Sequence, residues 1–448
     1  MGARVAASMM EGVTTSRQTH QTLDLALRVG EMLLSNGAGA ADVTATMSSV
    51  AHHLGLRQVI VDVTFTTLTL SHQASFDDPP VSLTRHVTHR ETDLDDLTRV
   101  DHLVADLLAD EIDLDEARIR VAQISSTGHQ TPRWAATLGS GVFGAGIALL
   151  LGGDVAVTVI AGIAAIGIDV LQRYISRLRL PFFYAQTAGG FLASLLAVGV
   201  AATDIDVDPS LVITTSIVLL LAGLGFIGAI QDALTNFYVT AVARILEVMM
   251  STIGVIVGVS GGLTVGRMIG VELTVEPGAS GLSRLPLMVV GAALGAAAFA
   301  YAAYAPRRVL LPIAAIAGGA AAIYLLLLER DVGRAWPAAV AALFIGVVSY
   351  NVSGWARVPP LVIVTAAIVP LLPGVSIYRS LALLAADDLT GILAMITAIG
   401  VAVALAAGVI LGEYVAQPLR REARRLEQRL AGPRLVGPVR ARSRRKLH

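Results

Sequence analysis

The sequence predicts an α-helical polytopic membrane protein, in which ten transmembrane helices form two inverted five-helix repeats behind a small soluble α+β domain. Three observations support this fold class. The 448 residues are 54% hydrophobic and 15% charged, with a mean hydropathy of +0.69, which is rare among soluble proteins. Ten apolar runs approach the length that crosses a bilayer. The arginine-rich loops between these runs fall on one side of the membrane.

The N-terminal part predicts a soluble domain. Residues 1–22 are small and polar without periodicity, so we expect them to be disordered. Residues 23–130 predict a cytoplasmic α+β domain. Apolar residues follow a helical spacing from Leu23, and the run from Val59 to Phe65 alternates apolar and polar residues as a strand does.

Several chemical classes lack a signature in this chain. It has no cysteines, and the histidines at His52-His53 and at His86 and His89 lack a partnering carboxylate or cysteine pattern. No nucleophile–base spacing stands out, and no P-loop motif occurs. We therefore expect no metal, no cofactor, no nucleic-acid partner and no enzymatic activity. The missing P-loop argues against an ATP-driven pump in one chain.

The membrane region divides into two groups of five spans, within residues 131–264 and 285–415, joined by a polar linker at about 265–284. Because each group has an odd number of spans, the second group must be inverted relative to the first. Inverted repeats characterise many secondary transporters. The predicted spans are 135–152, 155–172, 182–202, 210–230, 237–262, 286–304, 309–328, 337–353, 359–384 and 390–415.

The charges of the loops orient the chain. Acidic positions such as Asp204, Asp206 and Asp387 fall on one side of the predicted layout, and the basic positions fall on the other. We therefore expect a multi-pass protein of the plasma (cell inner) membrane with both termini in the cytoplasm. The basic positions are Arg173, Arg177, Arg179, Arg307, Arg308, Arg357 and the basic cytoplasmic tail 416–448.

The segment from Asp232 to Gly262 carries the main candidate site. A charge near mid-bilayer costs at least about 2.5–3.5 kcal/mol, so charged residues there indicate a pathway or binding site. Arg244 and Glu247 are three residues apart and can pair on one helix face. The alternative is a cytoplasmic amphipathic lead-in with a solvated ion pair, the true span beginning near Val248. The polar residues of this face are Asp232, Asn236, Thr240, Arg244, Glu247 and Ser251.

A second candidate lies in the ninth span, which Pro370 and the Pro373-Gly374 pair interrupt. Proline frees backbone carbonyls, which is tolerated at membrane depth only beside protein or a wet cavity. Tyr378 and Arg379 follow this break as candidate gating residues, with interfacial anchoring as the equal alternative.

Three stretches of the chain resemble the threonine/serine exporter family: Leu25–Leu56, Phe226–Glu247 and Ile368–Ser380. With the ten-span layout, the resemblance covers residues from about 23 to 415. The family commonly has a Pro-Gly pair at the end of span four, where this chain has Ile227-Gly228, which predicts a softer kink there.

The resemblance implies a ten-span carrier that exports small hydroxy amino acids, driven by the membrane potential and the proton gradient. Related two-subunit systems are associated with dicarboxylate export, so the substrate stays open between these classes. A channel, or a membrane-bound sensor or enzyme, is the alternative of another class. We expect an amino acid, protons and the lipid bilayer as partners. The sequence leaves open whether the protein forms a homo-oligomer.

A zwitterionic amino acid needs a cation for its carboxylate and an anion or carbonyls for its ammonium group. A poorly solvated carboxylate has a raised pKa and can take up a proton in each cycle. Glu247 is the first candidate for proton coupling, Asp232 the second and Asp169 the third. For Asp169, an ion pair with Arg173 at the membrane interface is the equal alternative. The candidate substrate-binding residues are Arg244, Asn236, Thr240, Ser251, Pro373 and Gly374.

The layout of arginine-rich loops predicts which positions of the chain face the cytoplasm and which face the outside. A reporter fused after His448 should be active only in the cytoplasm, whereas reporters inserted at Asp206 or Asp387 should report the outside. Reporter activity in whole cells measures this. A C-terminus found outside would mean that one span is miscounted.

Overall fold

The computed structural model describes residues 2–75, 77, 79–88, 90–128, 131–178, 180–203, 208–220, 223–271, 284–330, 333–385 and 388–430. Parts of the sequence-based interpretation lie outside these residues. They are the loop positions Asp204, Asp206 and Asp387, together with His89, Arg179, most of the linker and the tail beyond Leu430.

The N-terminal part of the described chain combines four helices with a three-stranded sheet. The strands pair antiparallel in the order β1-β2-β3, with Val61 opposite Leu70 and Leu70 opposite Leu83. Leu68 and Leu70 point into a core formed with the helices and are fully buried. The elements are α1 (Gly2–Ser35), α2 (Ala40–His53), β1 (Val59–Thr64), β2 (Thr67–His72), β3 (Val81–His86), α3 (Leu94–Leu108) and α4 (Leu114–Ser126).

Helix α1 corrects the prediction that residues 1–22 are disordered, since it is continuous from Gly2 to Ser35. No proline interrupts this stretch, and alanine, methionine and arginine favour a helix. From Leu23 onward the apolar face of the helix is buried in the core, and Gly30 lets Met47 of α2 approach closely. The lack of periodicity before Leu23 therefore does not exclude a helix.

The rest of the described chain is helical, and its long apolar helices are those of a polytopic membrane protein. Among the described residues, eight helices are long and apolar enough to cross a membrane, and two bent helix pairs raise the number to ten if each is one span. The helices are α5 (Arg133–Leu150), α6 (Val155–Arg177), α7 (Phe182–Ala201), α8 (Pro209–Leu220), α9 (Gly223–Leu234), α10 (Tyr238–Met268), α11 (Leu285–Ala302), α12 (Leu310–Leu328), α13 (Ala335–Ala356), α14 (Pro360–Ile368), α15 (Gly374–Ala385) and α16 (Thr390–Leu430).

The two bent pairs occupy the places of the fourth and ninth predicted spans. Helices α8 and α9 meet at 45°, and α14, extended to Leu371 by a 3-10 turn, meets α15 at 49°. The first break lies before Gly223 and not at Ile227-Gly228, which are inside α9. The breaks face each other, because a Cβ at Gly223 would lie 2.9 Å from the Cδ1 of Leu372.

Two boundaries differ from the predicted ones. The polar face shared by Asp232 and Ser251 predicts one continuous helix over this segment. This prediction is wrong, because α9 ends at Leu234 and α10 begins at Tyr238. Asn236 between them has a left-handed φ of +72°, a conformation that asparagine tolerates better than most residues. At the other end, α16 continues to Leu430 through the start of the predicted tail.

The helices α5–α10 and α11–α16 form two sets that share one packing pattern. Helix α5 packs on α6 as α11 packs on α12, and α7 packs on α10 as α13 packs on α16. Helix α9 packs on α16 as α15 packs on α10. The sets meet where α5 crosses α11, and there a Cβ at Gly146 would lie 2.6 Å from the backbone nitrogen of Gly295.

The contact between α5 and α11 should be sensitive to a single methyl group. Gly146→Ala places that methyl against backbone that cannot move aside, and overpacking of this kind costs about 1–3 kcal/mol. Thermal unfolding in detergent should show a lowered Tm. The matched control is Gly400→Ala, where a Cβ has open space and alanine favours the helix. Equal effects of the two changes would contradict the packing argument.

Candidate functional site

A cavity of about 320 Å³ lies between the N-terminal domain (α1–α4 and the sheet) and the membrane helices. The N-terminal domain contributes the end of α1 and the segment after β3, and the membrane region contributes α9, α10 and α14. The apolar part of its wall, including Leu224 and Ile368, approaches the two helix breaks. Its charged and polar lining residues include Arg90, Glu91, Gln231, Arg244, Glu247 and Thr365.

Arg244 of α10 forms the most buried ion pair of this region. Its Nη1 lies 2.9 Å from Oδ2 of Asp232, and the two side chains are 8% and 1% exposed. Its Nη2 donates to the carbonyl of Ala38 in the N-terminal domain at 3.4 Å. A Cβ at Gly228 would lie 2.9 Å from Nη1, so the glycine at this position makes room for the guanidinium group.

Asp232 also binds the N-terminal domain through the start of α2. Its Oδ1 accepts from the backbone N–H of Ala40 at 2.9 Å. The N-cap residue of α2 is Gly39, which has no side chain to accept this N–H. The membrane region therefore supplies the missing cap. Burial, and secondarily the Asp232 carboxylate, raises the pKa of Asp42 in the first turn of α2.

The turn between β1 and β2 makes a second docking contact. Thr240 Oγ1 of α10 accepts from the backbone N–H of Phe65 at 3.0 Å and lies 3.2 Å from the carbonyl oxygen of Val63, to which its hydroxyl donates. Phe65 has a left-handed φ of +52°, which turns its N–H toward α10. Two backbone groups at the tip of the turn are thereby satisfied by one buried hydroxyl.

Arg90 makes the third contact, at the mouth of the cavity. Its Nη1 lies 3.3 Å from Oε2 of Glu247 on α10, and its Nη2 donates to the carbonyl of Phe65 at 2.7 Å. The guanidinium lies 4.4 Å from the centre of the Phe65 ring, within cation–π range. Burial first, and then the nearby Arg244 guanidinium, lower the pKa of Arg90, against the opposing effect of Glu247.

The structure brings together three of the sequence-predicted site residues. Arg244 and Glu247 line the cavity, and Asp232 lies directly behind Arg244. The predicted pairing of Arg244 with Glu247 is wrong, because the chain reversal at Asn236 places Asp232 beside Arg244 while Arg90 takes Glu247. The alternative of a solvated pair is also wrong for Arg244, which is buried and donates to the Ala38 carbonyl of the N-terminal domain.

The remaining predicted residues on this segment lie elsewhere. Thr240 is occupied by the β1–β2 turn. Asn236 is exposed in the turn before α10, and its Oδ1 accepts from the hydroxyl of Tyr238. Ser251 is fully buried two turns beyond Arg244, and its Oγ has no hydrogen-bond partner among the described residues. None of the three lines the cavity.

The residues predicted outside this segment are also separate from the cavity. Pro373 and Gly374 form the break before α15, Tyr378 is buried inside that helix, and Arg379 is exposed. Asp169 forms an ion pair with Arg173 one turn along α6, as its alternative interpretation expected. None of these residues lines the cavity, so their roles in binding, gating and proton coupling stay predictions.

Sequence reasoning missed most of the polar residues of the cavity, among them Arg90, Gln231 and Thr365. Arg90 follows a strand in the N-terminal domain, and no local pattern connects it with Glu247, 157 positions later. Gln231 directly precedes Asp232, and this position beside a charged residue is its local signal. Thr365 is a single hydroxyl in an apolar run and carries no signal.

Comparisons with known proteins agree with one another. A family model described as "Putative threonine/serine exporter" matches residues 24–266, and a second, described as "Threonine/Serine exporter, ThrE", matches residues 288–415. A "Probable threonine/serine exporter" of Mycobacterium tuberculosis (strain ATCC 25618 / H37Rv) is 34% identical over 447 residues, which covers 96% of this chain and 84% of the relative. A "Threonine/serine exporter" of Corynebacterium glutamicum is 31% identical over 420 residues, covering 92% and 86%. No solved structure matches the chain.

The buried pair between Arg244 and Asp232 should be needed for stability. Asp232→Ala leaves a buried guanidinium without its carboxylate and α2 without its cap, and breaking a buried pair costs about 3–5 kcal/mol. The free energy of unfolding in detergent measures this. The control Asp169→Ala breaks a more exposed pair with Arg173, for which about 1 kcal/mol or less is expected. A small effect at both positions would contradict the assignment.

Proposed function

Because the chain belongs to the threonine/serine exporter family, we propose that it is a secondary active exporter that moves threonine and serine out of the cytoplasm by antiport with protons. The observation that carries this proposal is the cavity beside the helix breaks, where Arg244 and Glu247 present opposite charges. A volume of about 320 Å³ suits a small ligand.

The chemistry of the lining residues fits a hydroxy amino acid. Arg244 supplies a planar cation for the carboxylate, and Glu247 supplies an anion for the ammonium group. Gln231 and Thr365 offer polar groups for the substrate hydroxyl. Leu224 and Ile368 provide apolar contact for the threonine methyl group.

The charge balance of the cavity favours a zwitterion over a dicarboxylate. Arg90 and Arg244 contribute two positive charges to the lining, and Glu91 and Glu247 contribute two negative charges. A zwitterion leaves this balance unchanged. A dicarboxylate would place two further negative charges in a confined space, where like charges repel strongly. We therefore keep dicarboxylate export as the alternative only.

We place the transport cycle in two inverted five-helix repeats. The matching packing of the two helix sets supports this, as does the occurrence of a bent helix at the fourth place of each set. The crossing of α5 with α11, close enough to require Gly146, lies between the sets and gives them a surface about which to rock. In this arrangement the breaks next to Gly223 and Leu372 form the inner end of the substrate path.

Proton coupling is assigned first to Glu247. Its side chain is 45% exposed, and its carboxylate lies at the mouth of the cavity, where both solvent and substrate reach it. Asp232 is the second candidate, but it is committed to Arg244 and to the start of α2. Asp169 is the third and is paired with Arg173. The soluble domain and both termini are placed in the cytoplasm.

Efflux from loaded vesicles tests this function. Purified protein in vesicles should export threonine and serine uphill when a proton gradient is imposed, and should show countertransport, which a channel would not. Arg244→Ala should abolish export. Glu247→Gln should remove uphill export while retaining downhill exchange, because the amide keeps the shape but does not titrate.

Two comparisons make the vesicle experiment decisive. Arg118→Ala removes an ion-paired arginine from α4, away from the cavity, and should leave export unchanged at matched protein levels. A panel of dicarboxylates in the same vesicles separates the two substrate classes. Uphill export at the normal rate by both Arg244→Ala and Glu247→Gln would contradict this assignment of the site. The break at Pro373-Gly374 would then be the next candidate.

A further inference from the structure

The cavity of the membrane region is completed by a residue of the soluble domain. Arg90 lies in the segment between β3 and α3, yet its guanidinium lines the same cavity as Arg244. The two side chains are close enough for each positive charge to affect the other. Two cations from separate parts of the fold facing one cavity are costly unless an anion is placed between them.

The existing partners of Arg90 leave part of its hydrogen-bonding capacity unused. The 3.3 Å between its Nη1 and Oε2 of Glu247 is longer than the roughly 2.7–2.9 Å of a strong charge-assisted bond. Its Nε is buried and has no hydrogen-bond partner among the described residues. A guanidinium offers five N–H donors, and a carboxylate takes two of them side by side.

We propose that Arg90 is a substrate-binding residue and that the bound amino acid takes the place of the Arg90–Glu247 ion pair. The substrate carboxylate binds between the guanidinium groups of Arg90 and Arg244, and the substrate ammonium group binds Glu247. This inference rests on the proposed function. It extends that function by giving the soluble domain a direct part in recognition.

The exchange keeps every charge compensated. Asp232 offsets Arg244 throughout. Before binding, Glu247 offsets Arg90; after binding, the substrate carboxylate offsets Arg90 and the ammonium group offsets Glu247. Burial and Arg244 lower the pKa of Arg90, so an added anion relieves a charge that is already unfavourable. Arg90 keeps its bond to the Phe65 carbonyl and its contact with the Phe65 ring throughout.

The exchange also links substrate to the position of the soluble domain. The Arg90–Glu247 pair is one of the contacts that hold the domain on α9 and α10, beside those of Asp232, Thr240 and Arg244. A substrate inserted between Arg90 and Glu247 separates one contact and leaves the others in place. The soluble domain is therefore placed to open and close the cytoplasmic mouth of the cavity as substrate enters.

A ligand comparison tests this inference on the full-length protein. Calorimetry would measure the binding of threonine and of threonine amide, which has the same ammonium and hydroxyl groups but no carboxylate. In wild type the amide should bind more weakly. In Arg90→Ala the ratio of the two Kd values should fall about tenfold or more, because a hydrogen-bonded charge has been removed from the carboxylate alone. Arg90→Lys should recover part of the ratio, since lysine keeps the charge without the planar fork.

The outcomes separate this inference from the function on which it rests. Arg118→Ala, on the exposed side of α4, should leave the ratio at its wild-type value. Equal weakening of both ligands in Arg90→Ala and in Arg90→Lys would assign Arg90 to domain docking only and overturn the inference alone. Arg90→Lys, which keeps the docking charge, carries the test if Arg90→Ala unfolds. Wild-type protein that binds no threonine would overturn the proposed function together with the inference.

Discussion

The ion pair between Arg244 and Asp232 determines how the two parts of this protein fit together. Removing a charge from water costs several kcal/mol even in a real protein, so a pair that is 8% and 1% exposed needs further polar partners. Those partners are the N–H of Ala40 and the carbonyl of Ala38, and both come from the N-terminal domain. The docked domain buries the pair and also satisfies it. Neither the buried pair nor the docked position is expected to persist alone.

Small residues are the second requirement of this arrangement. Gly228 leaves space for the Arg244 guanidinium, since a Cβ there would lie 2.9 Å from its Nη1. Among the apolar helices, Gly146 and Gly295 bring two helices into backbone contact. Lipid provides no hydrophobic drive for helix association, so such close approach is what stabilises the bundle. The glycine content of the chain thus serves both the packing of the helices and the accommodation of a buried charge.

The sequence predicted the membrane helices well because their signal is local. Apolar length and flanking charge place all ten predicted spans on helices or bent helix pairs of the structure. The candidate site was harder to predict because its partners are distant in sequence. Arg244 and Glu247 were singled out for the cost of their charges, but the chain reversal at Asn236 changed the partner of Arg244. Arg90 could not be found, because nothing in its neighbourhood refers to α10.

The location of these charges allows one set of residues to serve docking and, under the proposed function, transport. The cost of a charge in hydrocarbon predicted that Arg244 and Glu247 have a role, and it did not specify which role. At the boundary between domain and bundle they bind protein groups, and under the proposed function they bind substrate groups when the cavity is filled. Arg244 is held by fixed protein partners and is buried, whereas Glu247 is held by a single longer contact and is half-exposed. The contact made by Glu247 is therefore the one that a small zwitterion can most readily replace, with the position of Arg244 unchanged.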